Sequence, residues 1–561
     1  MKNINAESRF TWRLAVALVV AFLLLVPGAM SAFGQFGSAS VLGYVRDNSG
    51  AVVPNATVKL TNVATNVTST STTDKDGKYE FDSVPIGNYK VATEAAGFQA
   101  SETAAFTLST DARQRVDVGL KLGTVTAQVE VTAAPGLLDT ETSSRSQVIG
   151  TREVENLPLN GRSYADLVLL APGVRKSTLE NQSASSREAS FNVNGQRSAF
   201  NNFMLDGLDN NNYGTSNQGF ANENIPPSPD AVAEFRVETN NYSAEYGRAS
   251  GAVINVVTRS GTNKFHGKAY DYLRNTNLNA IGPFTPAKDP NTGQSVKPVF
   301  IRNQFGGTFG GPIVKDHTFF FADYEGLRQI FTNQVSIVTL PNAEQRAGTF
   351  LLHKVGGATT PITVTNPVTG TTYTSGSIAS ASTPFALAVL AALPANNTGA
   401  ISATNGISNN YVASPRGTIV DDKGDVRVDH HFNQKVSLFG RYSEHRGTIF
   451  DPPTVLGRAG GNGNSNVHLL NRQIAAGTTW VISANKLLDI RFAYTKNEGG
   501  KSPYGQGHSS LLTENGITNG VPTDPMIVRD LNAQSVTGFT QFGAQSSSPQ
   551  FQNPIIYNPK A

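Results

Sequence analysis

The 561-residue chain contains no cysteine. That single absence removes disulfides, thiolate metal sites, a cysteine nucleophile and a lipid-modified cysteine anchor. Charge is sparse too: charged residues make up 16% of the chain and the formal net charge is +3, so no field of one sign marks a nucleic-acid partner. No histidine precedes His266, which leaves everything ahead of it without the His/Glu ligand set of a zinc hydrolase. Long apolar runs are missing except for Leu14 to Val26, which follows Lys2, Arg9 and Arg13 and precedes small residues around Ala29 to Gly34. The run is shorter than the roughly 20 residues that span a bilayer. Residues 1–34 therefore read as a secretory signal peptide, with cleavage open between Ser31, Ala32 and Gly34. With no other segment able to form a membrane helix, residence in a membrane requires a β-barrel.

What the chain does contain is glycine, 53 residues of it, with abundant Asn, Thr and Ser, a composition suited to β-structure with long loops. Residues 38–122 alternate short strands with the turns Asp47-Asn-Ser-Gly50, Asp74-Lys-Asp-Gly77 and Pro85-Ile-Gly-Asn88, and predict a small β-sandwich. Asp74-x-Asp76-Gly77 invites a calcium reading, but Pro85 stands where a calcium loop needs its bidentate glutamate, and an Asx turn is expected instead. Gly43-Tyr-Val45, Pro54 to Val58, Tyr79-Glu-Phe81 and Pro85 to Tyr89 resemble the carboxypeptidase-regulatory-like domain, a resemblance that brings no catalysis with it.

Residues 230–267 organise the rest. Val232 to Thr239 predicts a strand, Asn240 to Ser250 a polar loop and Gly251 to Thr258 a second, β-branched strand, followed by a turn-rich break at Arg259 to Asn263. Phe235-Arg-Val237, Glu245-Tyr-Gly247 and Ser250 to Arg259 resemble the end of the plug in TonB-dependent outer-membrane receptors. The Arg-Gly-Pro usual in that family is replaced by Glu238-Thr-Asn-Asn241, and this departure, with the front domain, points to the Oar-like branch. The resemblance implies a mainly β chain: sandwich, linker at 123–135, mixed α/β plug domain at 136–259, and a partial antiparallel transmembrane β-barrel at 260–561 with long outer loops. Val154 to Arg162 and Ala165 to Gly173 resemble the short helices and turns that begin such plugs. In the linker, Gln128, Val129, Glu130, Val131, Thr132 and Ala133 are similar to a Ton box, the extended segment that pairs edge to edge with the TonB energy-transducing protein. A last strand of the front domain or a plain linker is the alternative. Asp206, Asp209, Asn210, Asn211 and Asn212 are candidate ligand contacts, and the tract Asn210 to Pro229 is expected to be an apical plug loop that faces outside.

Beyond Thr262 strand pairs flank short turns at Lys315-Asp316, Asn433 to Lys435 and Ser483 to Asn485. Leu488, Ile490, Phe492 and Tyr494 share one face, with Asp489, Arg491 and Thr495 on the other; Val426 and Val428 alternate likewise with Asp425, Arg427 and Asp429. Such alternation fits a membrane strand and equally a soluble sandwich. Around seven strands are secure, against about 22 in a closed receptor barrel, and the chain closes on the proline-bearing Tyr557 to Ala561. The expectation is an incomplete barrel whose gene product continues beyond Ala561, which the downstream DNA would reveal. No catalytic constellation stands out: His430 and His431 are adjacent on a strand and point to opposite faces, and the Gly306-Gly307 and Gly310-Gly311 pairs lack the helix and Lys-Ser/Thr of a phosphate loop. No enzyme activity, cofactor or metal is expected. The implied roles are solute import across the bacterial outer membrane, with the front domain periplasmic and a glycan, peptide or metal chelate as solute, or surface adhesion or carbohydrate binding without transport. Outer-membrane lipid is the remaining partner.

Overall fold

The computed structural model describes residues 39–123, 130–132, 144–177, 190–212, 222–280, 297–332, 336–353, 357–398, 401–402, 406–407, 409–461, 463, 465–483 and 486–560. The front domain contains β1 (Ala39–Asp47), β2 (Thr57–Asn62), β3 (Thr68–Thr72), β4 (Lys78–Val84), β5 (Gly87–Glu94), β6 (Ser101–Thr103), β7 (Phe106–Leu108), β8 (Arg113–Arg115) and β9 (Val118–Leu120). They form two sheets, one built on β1 with β4, β8 and β9, the other running β6-β5-β2-β3 with β7 beside β5. Alternation decides which residues go inside: Val58 and Leu60 of β2, Tyr79 and Phe81 of β4, and Tyr89 and Val91 of β5 share one core with Val41 and Val118. At Gly43 a Cβ would lie 1.9 Å from the Val116 carbonyl oxygen, so only glycine permits that approach. Asp74 Oδ1 accepts from the backbone N–H of Asp76 and of Lys78, both at 2.9 Å, the expected Asx turn. A segment carrying residues 38–122 is expected to give a dispersed amide NMR spectrum alone, since this core is made within it. A collapsed spectrum would refute that boundary.

β10 (Glu130–Thr132) comes from the linker and is taken up below. The plug unit holds β11 (Arg145–Ile149), β12 (Val174–Lys176), β13 (Phe191–Val193), β14 (Asn202–Leu205), β15 (Leu208–Asp209), β16 (Val232–Asn240) and β17 (Val253–Thr258). Five of these make a sheet in the order β11-β16-β17-β14-β15. A short helix, Thr151–Asn156, begins where Glu153 reaches back to the Gly150 N–H at 3.2 Å, and a 3-10 helix, Tyr164–Leu170, lays Tyr164, Leu167 and Val168 on the sheet. All six residues of β17 are buried, which explains its β-branched composition on both faces.

The third unit is one antiparallel sheet of β18 (His266–Asn275), β19 (Phe300–Val314), β20 (Thr318–Thr332), β21 (Arg416–His431), β22 (Val436–Asp451), β23 (Ser465–Ser483), β24 (Lys486–Ser502), β25 (Gln550–Gln552) and β26 (Ile555–Lys560). β25 and β26 both pair with β24, so these nine segments fill eight positions, where sequence reasoning secured about seven. The proline-bearing end is likewise not a loop: Ile555–Lys560 pairs with β24, with Pro559 opposite Phe492. The Gly306-Gly307 pair lies in β19, where a Cβ on Gly306 would meet the Tyr324 carbonyl oxygen at 2.2 Å.

The exposures settle the ambiguity of the alternation. Val426, Ile490 and Phe492 are 50%, 40% and 43% exposed, whereas Asp489 and Arg491 are 7% and 8% exposed. Apolar side chains point out and charged ones in, the inverse of a soluble sandwich and the pattern of a barrel in lipid. No helix among the described residues is long and apolar enough to cross a membrane. At the far ends of the strands, Leu340, Val389, Val455, Leu511, Leu531 and Phe542, drawn from three separate connections, share a small core of their own. The longest of these connections runs between the end of β20 at Thr332 and the start of β21 at Arg416.

Candidate functional site

The inward charges of the barrel sheet meet the plug at two centres. At the first, Asp206 follows β14 in a tight turn, with φ of 51° in the left-handed region that Asp tolerates. Its Oδ1 accepts from the Thr258 N–H at 2.9 Å and from Arg427 Nη1 at 2.9 Å, and Arg441 Nε lies 2.8 Å from Oδ2. Arg491 Nη1 donates to the Asp206 carbonyl at 2.9 Å, and Lys560 Nζ to that of Gly207 at 2.7 Å. Burial pushes Asp206 up, but the Arg427 and Arg441 guanidiniums and the Thr258 hydrogen bonds outweigh it and hold the carboxyl below its usual value. Beside it Leu208 packs on the small residues Ala475 and Ala493 of the wall.

The second centre is Arg162. Its Nε donates to Glu325 Oε2 of β20 at 2.7 Å and its Nη2 to Asp230, within the plug, while the guanidinium lies 4.2 Å from the Tyr270 ring centroid and 4.7 Å from that of Tyr272. Lys268 pairs with Asp230 at 2.6 Å and Lys423 with Glu325 at 3.2 Å, so two buried carboxylates face three cations. Further bonds complete the ring: Gln304 to the Gly161 carbonyl, Ser228 to Asp323, and Gln473 to the Asp209 carbonyl. Every strand position of the wall from β18 to β26 thus touches the plug through a polar bond. Contacts of this kind can be exchanged for water, unlike an apolar core.

A third set ties the front domain to the plug. Thr110 is fully buried; its N–H donates to Glu234 Oε1, and its carbonyl accepts from Arg236 Nη1 at 3.0 Å. Next to it Asp111 accepts from Asn255 Nδ2 at 2.9 Å. The domain also reaches the wall, where Ser83 Oγ donates to Asp489 Oδ2 at 3.0 Å. Burial raises both Glu234 and Asp111, and the negative charge of Asp111 adds to the rise at Glu234. A carboxyl whose pKa is raised on docking takes up a proton there, so docking should strengthen as pH falls through the raised values and weaken as pH rises. Exchange protection of the Thr110 amide, corrected for intrinsic rate, should therefore be greater at pH 5.5 than at pH 7.5. Protection that is flat or falls on acidification would contradict this.

The residues singled out from sequence are placed as follows. Asp206 and Asn210 are both buried: the first is tied to the wall, and the second, at the start of the tract expected to face outside, exchanges hydrogen bonds with Ile225, Nδ2 to its carbonyl at 2.8 Å and Oδ1 from its N–H at 3.0 Å. Asp209 Oδ1 accepts from the Asn211 N–H at 2.8 Å, Asn211 Oδ1 from the Phe203 N–H at 2.9 Å, and the Asn212 N–H donates to the Asn222 carbonyl at 2.9 Å. These five residues are brought together as the turn chemistry of β14 and β15. Of the linker hexad, Glu130, Val131 and Thr132 form β10, which pairs in parallel with β6. Gln128, Val129 and Ala133 lie outside the described residues, as do residues 1–34. Sequence reasoning did not find Arg162, Asp230, Glu325 or Arg441; for Glu325 and Arg441 inward-facing charge on alternating strands was the available signal, read only at Asp425, Arg427, Asp429, Asp489 and Arg491, whereas Arg162 and Asp230 lie in plug turns where no such pattern runs.

Comparison with known proteins agrees with this architecture. Residues 257–561 match the family described as Outer membrane beta barrel domain, residues 40–121 the Carboxypeptidase regulatory-like domain, and residues 139–253 the TonB-dependent Receptor Plug Domain. The chain is 29% identical over 327 residues to the TonB-dependent transporter Oar of Myxococcus xanthus, covering 55% of this chain and 28% of that protein. Among solved structures it is similar to the outer membrane transporter YddB from Escherichia coli, with 10% identity, a TM-score of 0.41, and coverage of 64% of this chain and 40% of that one. A mutant form of the ferric enterobactin receptor PfeA from Pseudomonas aeruginosa gives 11% identity, a TM-score of 0.39, and coverage of 74% and 45%. The chain spans less than half the length of each of these relatives.

Proposed function

Since this chain belongs to the outer-membrane β-barrel family, as a TonB-dependent receptor of the Oar-like branch with a carboxypeptidase regulatory-like domain, we propose that it serves energy-coupled import of an external solute. The observation that carries this reading is the plug, held against every strand position of the wall by polar and ionic bonds centred on Asp206 and Arg162. Such a plug is a gate, which needs no catalytic group. TonB is the partner, engaging the Gln128 to Ala133 segment by strand pairing, and residues 1–34 direct secretion. Solute contact falls to the outer loops, because the polar atoms of the Asp206 to Asn212 turn are engaged within the plug and wall. Glycan, peptide and metal chelate are the solute classes.

Val131→Pro in the full-length receptor tests the partner. Proline removes a donor and distorts an extended segment. Binding of the purified periplasmic domain of TonB should weaken at least ~10-fold while the receptor stays in the outer membrane; unchanged binding removes TonB from the proposal. The loop core around Leu340, Val389 and Phe542 favours a second reading, adhesion through an outer cap that keeps its own shape. Deleting residues 357–398 would then abolish surface attachment without altering TonB binding.

A further inference from the structure

The sheet that β10 joins runs β10-β6-β5-β2-β3, so β10 is its outermost strand and, among the described residues, nothing pairs with its far side. Glu130 is in register with Ser101, Val131 with Glu102 and Thr132 with Thr103. β6 is fastened in turn to β5: Lys90 pairs with Glu102 at 2.9 Å, and the Val91 N–H donates to Thr103 Oγ1 at 3.0 Å. β5 also pairs with β7, and Thr110, two residues past the end of β7, is the residue whose N–H and carbonyl are both held by side chains of β16 in the plug. A continuous ladder therefore leads from the open edge of β10 through β6, β5 and β7 to the centre of the plug sheet. It is independent of the covalent linker.

We propose that the front domain is a mechanical adaptor. It presents β10 already extended at the margin of its own sheet, the TonB strand adds to that open edge as the next strand, and pull is delivered to β16 through the Thr110 contacts. The inference rests on TonB being the partner. Two physical reasons favour addition over displacement: an open strand edge offers unpaired backbone donors and acceptors for β-augmentation, and a segment already held extended loses less conformational freedom on binding.

Residues 1–561 contain no cysteine, so the introduced pairs are the only thiols within them, and the parent receptor carried through the same oxidation controls for any others. Thr103→Cys with Thr132→Cys, and separately Glu102→Cys with Val131→Cys, join β6 to β10 at in-register pairs of the full-length receptor. After oxidation in outer membranes, binding of the purified periplasmic domain of TonB is compared between oxidised and reduced receptor, with Val131→Pro as the loss control. The expected result is a crosslink in at least one pair and oxidised binding within ~2-fold of reduced binding. Binding that is present when reduced and lost on oxidation means that the segment must leave the front domain, which overturns the adaptor and leaves the TonB proposal standing. Failure of both pairs to crosslink overturns the adaptor through its first premise. Absence of binding in both redox states, with no effect of Val131→Pro, overturns both proposals.

Discussion

Asp206→Ala is expected to release the plug from the barrel wall at a cost of roughly 3–5 kcal/mol, the range for removing one partner of a buried ion pair. The carboxylate side chain is 4% exposed and its partners Arg427 and Arg441 are 14% and 0% exposed, so compensation for its loss must come from their second carboxylates, Asp429 for Arg427 and Asp425 for Arg441, rather than from water. Thr258 also loses the acceptor of its backbone N–H. The measurement is the urea midpoint at which the plug of the full-length receptor becomes open to protease while the barrel persists. Asp206→Asn should fall between parent and alanine, because an amide carbonyl still accepts from Thr258 but removes the charge that Arg427 and Arg441 share, leaving Arg427 to Asp429 and Arg441 to Asp425. Arg441→Met on the Asp206→Ala background should recover part of the loss, since it removes a charge that has lost its nearer partner and keeps volume, and the recovery should stay incomplete because Asp425 loses that cation too. The pH dependence has a definite sign. A carboxyl whose pKa is depressed in the folded state contributes above its ordinary value of about 4 and loses that contribution as pH falls further. The gap between parent and Asp206→Ala should hold from pH 8 to pH 5 and close in stronger acid. A midpoint equal to the parent's near neutrality would show that Asp206 does not hold the plug.

Arg162→Met should cost a similar ~3–5 kcal/mol at the other side of the plug. It withdraws the cation that Asp230 and Glu325, each 3% exposed, share, and leaves them to Lys268 and Lys423 alone. It also removes the cation stacked over the Tyr270 and Tyr272 rings. Arg162→Lys is the informative control. One ammonium cannot reproduce a planar fork that reaches two carboxylates and stacks on a ring, so lysine should recover less than half of the loss. Full recovery by lysine would mean that charge alone matters and that the bridging geometry read from Arg162 does not. Because Asp206 and Arg162 share no partner, the double substitution Asp206→Ala with Arg162→Met should be close to additive in plug release.

The sequence by itself determined the features whose cause is local. Period-two alternation set the strands of the sandwich and barrel, Asx chemistry set the Asp74 turn, and the β-branched run before Arg259 marked the last plug strand, because each depends on residues a few positions apart. Charges on the inward face of β21 and β24 were legible for the same reason. What they meet was not. Arg427 reaches Asp206 across 221 positions of sequence, and Asn471 reaches the Asn224 carbonyl across 247, pairings that no local pattern encodes. The Asp206 to Asn212 cluster illustrates the limit: Asn and Asp in a row announce a turn, yet whether that turn faces solvent or a wall of arginines depends on what surrounds the plug. Tertiary structure alone also decided which face of the alternating strands lies outside, since the pattern is the same for a sandwich and a barrel and only the presence of a polar plug within inverts it. The chain end shows the same division. Pro559 reads locally as a strand breaker, yet it lies opposite Phe492 in a strand whose place is set by the pairing of Ile555–Lys560 along β24.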